Sequence, residues 1–240
     1  MESIKIGIIS DTHGNLPALQ AMLDYFDKAG CNEVIHVGDA IAIGPFSKEC
    51  LDLLVAKNVT MTKGNHELLY LVGIDNLRFP MPEPMASHHK QVHATLGEGY
   101  KQMIKDQPFY IHREYFGKKI TFCHYGTYDA TDGLHFFRPV IKPEADQFEA
   151  IFRNVDADVI FFGHEHNPIT MHSDKLYVDV GSLGCNRQNF ANGVIATFSK
   201  EGMAIEQLKL PYDKQPLFDA IEQRQIVNGE FIAKQFFGKK

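Results

Sequence analysis

The sequence predicts an α/β fold, on two observations. Short β-branched and aromatic runs alternate with amphipathic stretches from the N-terminus onward. Polar residues able to bind metal stand directly after one apolar run after another, which is where α/β sheets hold their ligands. A length of 240 residues fits one large domain, 1–240, better than two. With 44% hydrophobic and 22% charged residues the composition is near the globular average, so disorder, collagen-like repeats and coiled-coil fibres are poor readings.

Ile4 to Ile9 reads as a buried strand. Asn15 can cap the helix that follows, Pro17 suits its first turn, and Leu16, Leu19, Leu23 and Phe26 recur at helical spacing until Gly30 stops it. Val34 to Val37 is the next strand, Ser47 opens a helix through Cys50 to Val55, and Val59 to Thr62 is a third strand. Phe79 to Pro84 has prolines at alternate positions, which excludes helix interior and predicts an extended loop. Ser87 to Lys105 is compatible with a helix despite Gly97 and Gly99. Tyr110 to Tyr115 and Lys119 to Cys123 pair as a hairpin across Phe116-Gly117-Lys118. Pro143 opens a helix through Phe148, Ile151 and Phe152, and Val159 to Phe162 and Leu176 to Val180 are strands. Val194 to Phe198 and Met203 to Leu210 form a second hairpin. Residues 75–105 and 125–140 read as pocket or lid insertions. Residues 211–240 predict one helix and a tail, whose Phe231, Phe236 and Phe237 either dock on the body or seal a homo-oligomer contact.

Lys+Arg 24 against Asp+Glu 30 gives a net charge of −6, which argues against a surface built to hold a duplex phosphate backbone. Nucleic acid is expected only as a substrate, not as a stable partner. No window reaches the roughly 18 unbroken apolar residues of a membrane span. Met1 to Lys5 lacks a basic region followed by an apolar stretch, so the expected compartment is the cytoplasm. Cys31, Cys50, Cys123 and Cys185 are scattered and read as reduced, buried thiols. The 12 histidines are more than packing alone calls for, and their positions decide what they do.

Five apolar runs end in candidate ligands: Asp11 and His13, Asp39, Asn65, His124, and His164 with His166. Strand ends of an open α/β sheet converge on one crevice, so these residues should meet in space although they are far apart in the chain. Two Asp, one Asn and four His form a set of oxygen and imidazole donors suited to divalent Mn, Fe, Zn, Co or Ni. Mn or Fe is the expected choice among these. Seven donors exceed one tetrahedral site. If one carboxylate bridges, they fill two four-coordinate sets, and two ions roughly 3.5 to 4 Å apart are an arrangement suited to displacement at phosphorus. Asp39 is the bridging candidate.

At these residues the chain resembles the calcineurin-like metallophosphoesterases, specifically their small bacterial phosphodiesterase-like branch. The resemblance is carried by Asp11-x-His13-Gly14-Asn15, Gly38-Asp39 with Gly44-Pro45, Gly64-Asn65-His66-Glu67, His124, Gly163-His164-x-His166 and Gly181-Ser182-x-Gly184, in the family's order. It implies two packed mixed β-sheets with helices on both outer faces, a four-layer sandwich. It also implies a first metal held by Asp11, His13, Asp39 and His166, and a second held by Asp39, Asn65, His124 and His164. His66 would then be the general acid, protonating the alkoxide that leaves when a metal-activated hydroxide attacks phosphorus. The expected activity is hydrolysis of phosphodiesters or other small phosphorylated molecules. A phosphomonoesterase on the same metals is the near alternative, and a non-catalytic scaffold of the same fold a more distant one, disfavoured by the complete ligand set.

The chain departs from the related protein Ser/Thr phosphatases at Gly38-Asp39-Ala40-Ile41-Ala42-Ile43-Gly44, which is apolar where they continue to Asp-Arg. Arg187 is the basic residue expected near the pocket, holding a non-transferring phosphate oxygen bidentately or standing exposed on its loop. Glu67 either orients His66 or caps the next helix. His36 is expected in the core or behind the ligands. His88, His89 and His93 are expected as a solvated polar face rather than a lid, and His112, His135 and His172 as surface residues.

Overall fold

In a computed structural model of the chain, which describes residues 3–77, 80–128, 136–137 and 144–240, the alternation builds two five-stranded sheets. Strand β1 (Ser3–Ile9) leads into helix α1 (Leu16–Ala29). The Asn15 side chain accepts the Ala18 N–H and caps α1, Pro17 stands in its first turn, and Gly30 ends it. Ala18, Leu19, Met22, Leu23 and Phe26 are its buried stripe. β2 (Glu33–His36), α2 (Ser47–Ala56) and β3 (Thr60–Met61) repeat the unit. Ser47 opens α2 without capping it. Its Oγ instead accepts the Ala42 N–H at 2.9 Å and pins the preceding loop.

α3 (Asn65–Val72) follows, then a 3₁₀ turn at Ile74–Asn76, α4 (Met85–Leu96) and α5 (Lys101–Asp106). The single helix expected over 87–105 is thus two. Gly97 turns the chain at φ 56°, a left-handed conformation that breaks the helical path and that glycine adopts without steric cost. Pro80 to Pro84 lie outside any helix as expected, and Phe79 lies outside the described residues. β4 (Tyr110–Tyr115) and β5 (Lys118–Cys123) form the expected hairpin around Phe116 and Gly117. β6 (Thr127–Tyr128) and β7 (Phe136–Phe137) pair with each other. His135 and Pro143 lie outside the described residues.

α6 (Ala145–Ile151), β8 (Val159–Phe162), β9 (Ile169–His172) and β10 (Leu176–Asp179) come next, then the long hairpin of β11 (Phe190–Ser199) and β12 (Gly202–Pro211). β9 escapes sequence reading because it is a short edge strand with no buried residue. The C-terminal segment forms two helices rather than one and a tail, α7 (Gln215–Gln223) and α8 (Gly229–Phe237). Phe237 is fully buried among Leu217, Ile221 and Ile232, so it docks on the body, while Phe231 stays exposed.

The first sheet runs β12-β11-β1-β2-β3, the second β4-β5-β8-β10-β9. β1, β2 and β3 are mutually parallel, as are β5, β8 and β10, and antiparallel strands flank each parallel set. The sheets pack face to face through Ile6, Ile8 and Val194 on one side and Phe122, Phe161 and Val178 on the other. α1 and α2 cover the outer face of the first sheet, and Phe148 and Phe152 lie against the second beside Phe162 and Tyr177. Two mixed sheets flanked by helices are the expected four layers. The parallel strands bring their carboxyl ends, and the loops that follow them, to one edge of the sandwich. No helix among the described residues is long and apolar enough to cross a membrane.

Candidate metal centre

Six of the seven expected ligands stand in the loops after β1, β2, β5 and β8, where extended backbone turns sharply, and Asn65 is the first residue of α3, after β3. Asp11, His13, Asp39, His164 and His166 all have positive φ, between 48° and 77°. Such conformations cost non-glycine residues on the order of 1–3 kcal/mol each and persist where the surroundings over-determine them. The surroundings here are backbone hydrogen bonds between loops: Asp11 N–H to Gly38 O, His13 N–H to Asp39 O, and Gly14 N–H to Ala40 O, each at 3.0 Å.

The donor atoms gather in two groups. In the first, His13 Nε2 lies 3.1 Å from His166 Nε2 and 3.5 Å from Asp11 Oδ1, which is 3.2 Å from His166 Nε2. In the second, Asn65 Oδ1 lies 3.0 Å from both His124 Nε2 and His164 Nδ1, and those two nitrogens are 3.2 Å apart. Asp39 Oδ2 joins them, 3.9 Å from His13 Nε2 and 3.3 Å from His124 Nε2. Donors held at roughly 2.0–2.2 Å by one cation, with angles between a right angle and the tetrahedral value, stand about 3 to 3.6 Å apart. The spacings within each group fall in this range, and so does that of Asp39 Oδ2 from His124 Nε2, while its 3.9 Å from His13 Nε2 is slightly longer, so the residues present fit divalent cations at two adjacent points.

The atoms not turned to these points are otherwise engaged. Asp11 Oδ2 accepts from Ser10 Oγ at 2.5 Å and from the His164 N–H at 2.9 Å, and Asp39 Oδ1 accepts the His66 N–H at 2.8 Å. His124 Nδ1 lies 2.9 Å from Val37 O, a pure acceptor, so Nδ1 carries a hydrogen and Nε2 is the nitrogen left facing the other donors. His36, buried as expected, ties the Thr12 hydroxyl to the Gly38 N–H behind the ligands.

Electrostatics point the same way. Burial disfavours charge on Asp11 and Asp39, yet the rings facing them, His166 and His124 for Asp11 and His124 and His66 for Asp39, hold both carboxyls well below the usual range. Burial opposes charge on His124 too, but Asp39 and Asp11 push it up to about 9, and Asp11 outweighs burial to raise His166. Two buried carboxylates draw positive charge to this edge, as protons on imidazoles or as cations, and a cation bound there displaces the protons. Chelating the divalent metal from the protein is therefore expected to lower Tm by about 5–10 °C, for a site filled at ~100 times its Kd in a chain of this length. A melting scan with chelator and after metal re-addition checks this; an unchanged Tm with the metal demonstrably removed would count against it.

His66 sits beside the centre, its Nε2 3.9 Å from Asp39 Oδ2. Burial pushes its pKa well below the ordinary value. Its Nδ1 is buried with no hydrogen-bond partner among the described residues. The ring is held by packing instead, edge-on to His13 and stacked on His89 at 4.9 Å with planes 17° apart. Glu67 does not orient it: the carboxylate accepts the N–H groups of Gly64, Asp39 and Ala40, so it caps α3 and fastens the Asp39 loop to it.

Sequence reading misplaced two histidines of the middle segment. His88 and His89 are buried, not solvated. His88 Nε2 accepts the Ile43 N–H at 2.9 Å, and α4 thereby covers the Ala40–Gly44 loop, which is buried throughout. That cover is why the loop after Asp39 is apolar. His112 and His172 are exposed as expected. Arg187 is not brought to the donors: it is exposed, donates to Lys234 O, and lines a groove with Gln215, Phe218 and Lys239. Sequence reading also passed over Cys185, whose Sγ stands with His13 and His166 in one group of potential ligand atoms. The Gly181-Ser182-x-Gly184 motif just before it was the available signal.

A sequence model of the calcineurin-like phosphoesterases matches residues 4–168, a stretch that contains all seven donors and His66. An uncharacterized protein of Methanocaldococcus jannaschii is 24% identical over 256 residues of alignment, covering 97% of each chain. A hypothetical protein from Pyrococcus horikoshii OT3 has a crystal structure similar to this one with a TM-score of 0.80, at 21% identity and 99% coverage of both chains. A metallophosphoesterase from Sphaerobacter thermophilus gives 0.74 at 19% identity and 98% coverage of both. At these identities the structural likeness concerns the fold, and it spans nearly the whole chain.

Proposed function

Because the chain belongs to the calcineurin-like phosphoesterase family, we propose that it is a dinuclear metal-dependent phosphoesterase, hydrolysing phosphodiesters or other small phosphorylated molecules in the cytoplasm. The observation that carries this reading is the pair of donor groups sharing Asp39 Oδ2. Asp11, His13, Asp39 and His166 would hold one divalent transition-metal ion, and Asp39, Asn65, His124 and His164 the other. Two such ions supply a hydroxide at neutral pH and draw charge from the phosphoryl oxygens.

The protein's own groups do the rest. Asp11, His13, Asp39 and His124 are buried beneath the centre, whereas Asn65, His66, His164 and His166 are half-buried, so a substrate approaches from the latter side. His66 is the acid. Burial opposes its protonation, so an anionic phosphate beside it is what favours the imidazolium, and the proton then goes to the leaving alkoxide oxygen. The stack on His89 and the edge contact with His13 keep the ring from rotating away from that oxygen.

Side-by-side hydrolysis of bis-p-nitrophenyl phosphate and p-nitrophenyl phosphate, after chelation and again with added Mn²⁺, tests the reading. The expected result is metal-restored cleavage of the diester, and on a diester with an unactivated alkoxide leaving group, which unlike p-nitrophenolate needs a proton, a fall of about 10²–10⁴ in His66→Ala, the usual worth of a positioned proton donor. Preference for the monoester would turn the reading toward a phosphomonoesterase. Two bound ions with neither ester cleaved would overturn it for simple esters, and no bound ion would overturn it altogether.

A further inference from the structure

The loop after β10 brings a thiol to the first donor group. Cys185 Sγ, His13 and His166 offer ligand atoms that all lie within 4.8 Å of one another, and Cys185 is 5% exposed. The neighbourhood is built. Leu183 N–H donates to Ser10 O at 2.9 Å, Gly184 N–H to Asp11 O at 3.1 Å and Ser182 Oγ to Asp11 O at 2.8 Å. Asn15 Nδ2 donates to Gly184 O at 2.8 Å, and the Cys185 N–H closes the loop on Ser182 Oγ at 2.7 Å. The approach is so close that a Cβ on Gly184 would stand 2.0 Å from Thr12 O. The same turn carries Asp11 and His13, so the thiol is fixed relative to those two ligands by backbone hydrogen bonds on both sides.

The 4.8 Å bound leaves the sulfur within a small side-chain rotation of a shared cation. A thiolate at about 2.3 Å and an imidazole at about 2.0–2.1 Å on one cation stand roughly 3.6 Å apart at a tetrahedral angle and about 4.4 Å apart when opposed. We infer that Cys185 is a further ligand of the ion held by Asp11, His13, Asp39 and His166, and that its sulfur makes this position selective for thiophilic metals. The inference rests on the dinuclear reading above and deepens it. Binding converts S–H to a metal-bound thiolate and releases the proton to solvent. Soft thiolate ligands suit Fe, Co and Zn better than Mn. Of Mn and Fe, the two metals expected from the outset, Fe then fits the first position better. The competing account is an inert core thiol, since Cys185 also packs beside Ile43 and Leu217.

Cobalt separates the two accounts by a readout other than turnover. The metal-stripped protein is titrated with Co²⁺ while bound metal and near-ultraviolet absorption are followed, in the natural protein and in Cys185→Ser. The expected result is a sulfur-to-cobalt charge-transfer band in the natural protein only, with the variant losing at least about tenfold in Co²⁺ affinity at one site and less in Mn²⁺ affinity. Cys185→Ala repeats the measurement if the serine variant folds poorly. Two cobalt ions bound without a charge-transfer band would overturn the thiolate ligand and leave the dinuclear centre standing. Failure of the natural protein to bind two ions would overturn the centre itself, and the thiolate ligand with it.

Discussion

Asp39→Asn is expected to abolish turnover while leaving the fold intact. Asp39 Oδ2 is the donor atom that faces both groups, 3.9 Å from His13 Nε2 and 3.3 Å from His124 Nε2. The amide keeps the shape and an oxygen for the His66 N–H that Oδ1 now accepts, and asparagine is among the residues that tolerate the positive φ of this position. What it loses is the negative charge and the second strong donor. In the dinuclear reading proposed above, neither ion then keeps its set. The loss of several kcal/mol of charge stabilisation in the transition state corresponds to a fall on the order of 10³-fold or more. Bound metal, kcat and a circular dichroism melt on the same preparation check it. Undiminished activity with two ions still bound would remove Asp39 from the centre; an unfolded variant would show it to be structural first. Asp39→Ala is the poorer variant, because it adds backbone strain and orphans the His66 N–H.

The convergence of the candidate donors was legible in the sequence for a physical reason. Parallel strands of an α/β fold present their carboxyl ends at one edge, so Asp11, Asp39, Asn65, His124 and His164 could be expected to meet from the pattern of apolar runs alone. Most strands could be placed for the same reason, since β1, β8 and the two hairpins are unambiguous apolar segments. Features that depend on how one segment docks on another were not legible. Nothing in the helical periodicity of α4 says that His88 and His89 face inward, because that follows from α4 covering the loop of Ile43. Cys185 has no metal-like spacing to any other candidate. It comes beside His13 and His166 through hydrogen bonds between two loops distant in the chain. Arg187 went the other way: α8 captures it through Lys234 O, a partner that only the second C-terminal helix supplies. The break in the middle helix, by contrast, is marked in the sequence by Gly97, whose freedom at positive φ ends α4.

Glu67→Ala should be the most destabilising single change near the centre. The carboxylate is 1% exposed and accepts three buried backbone N–H groups, from Gly64 and Asp39 at 2.8 Å and from Ala40 at 2.9 Å. Burial and the nearby Asp39 charge push its pKa up to about 7, against the pull of those N–H groups. Its place is therefore held by hydrogen bonding and not by charge pairing. Each N–H left without an acceptor costs roughly 1–3 kcal/mol, and water entering the cavity recovers part of that. The expected loss is about 2–5 kcal/mol, read as a shift in the urea midpoint. Glu67→Gln should fall between, since its single oxygen can accept from Gly64 and Asp39 while its amide nitrogen opposes the Ala40 N–H. The two variants also separate a role in fastening the Asp39 loop from one in orienting His66. Fastening predicts that metal affinity falls with stability, by about 10–100-fold as for other groups that position ligands, and that excess metal restores much of the rate. Orientation of His66 would instead give a stable, fully metallated protein with the rate of His66→Ala. A Glu67→Ala protein within about 0.5 kcal/mol of the natural one, the range of an ordinary surface substitution, would sink the fastening account, because three N–H groups orphaned at so buried a position cannot cost so little.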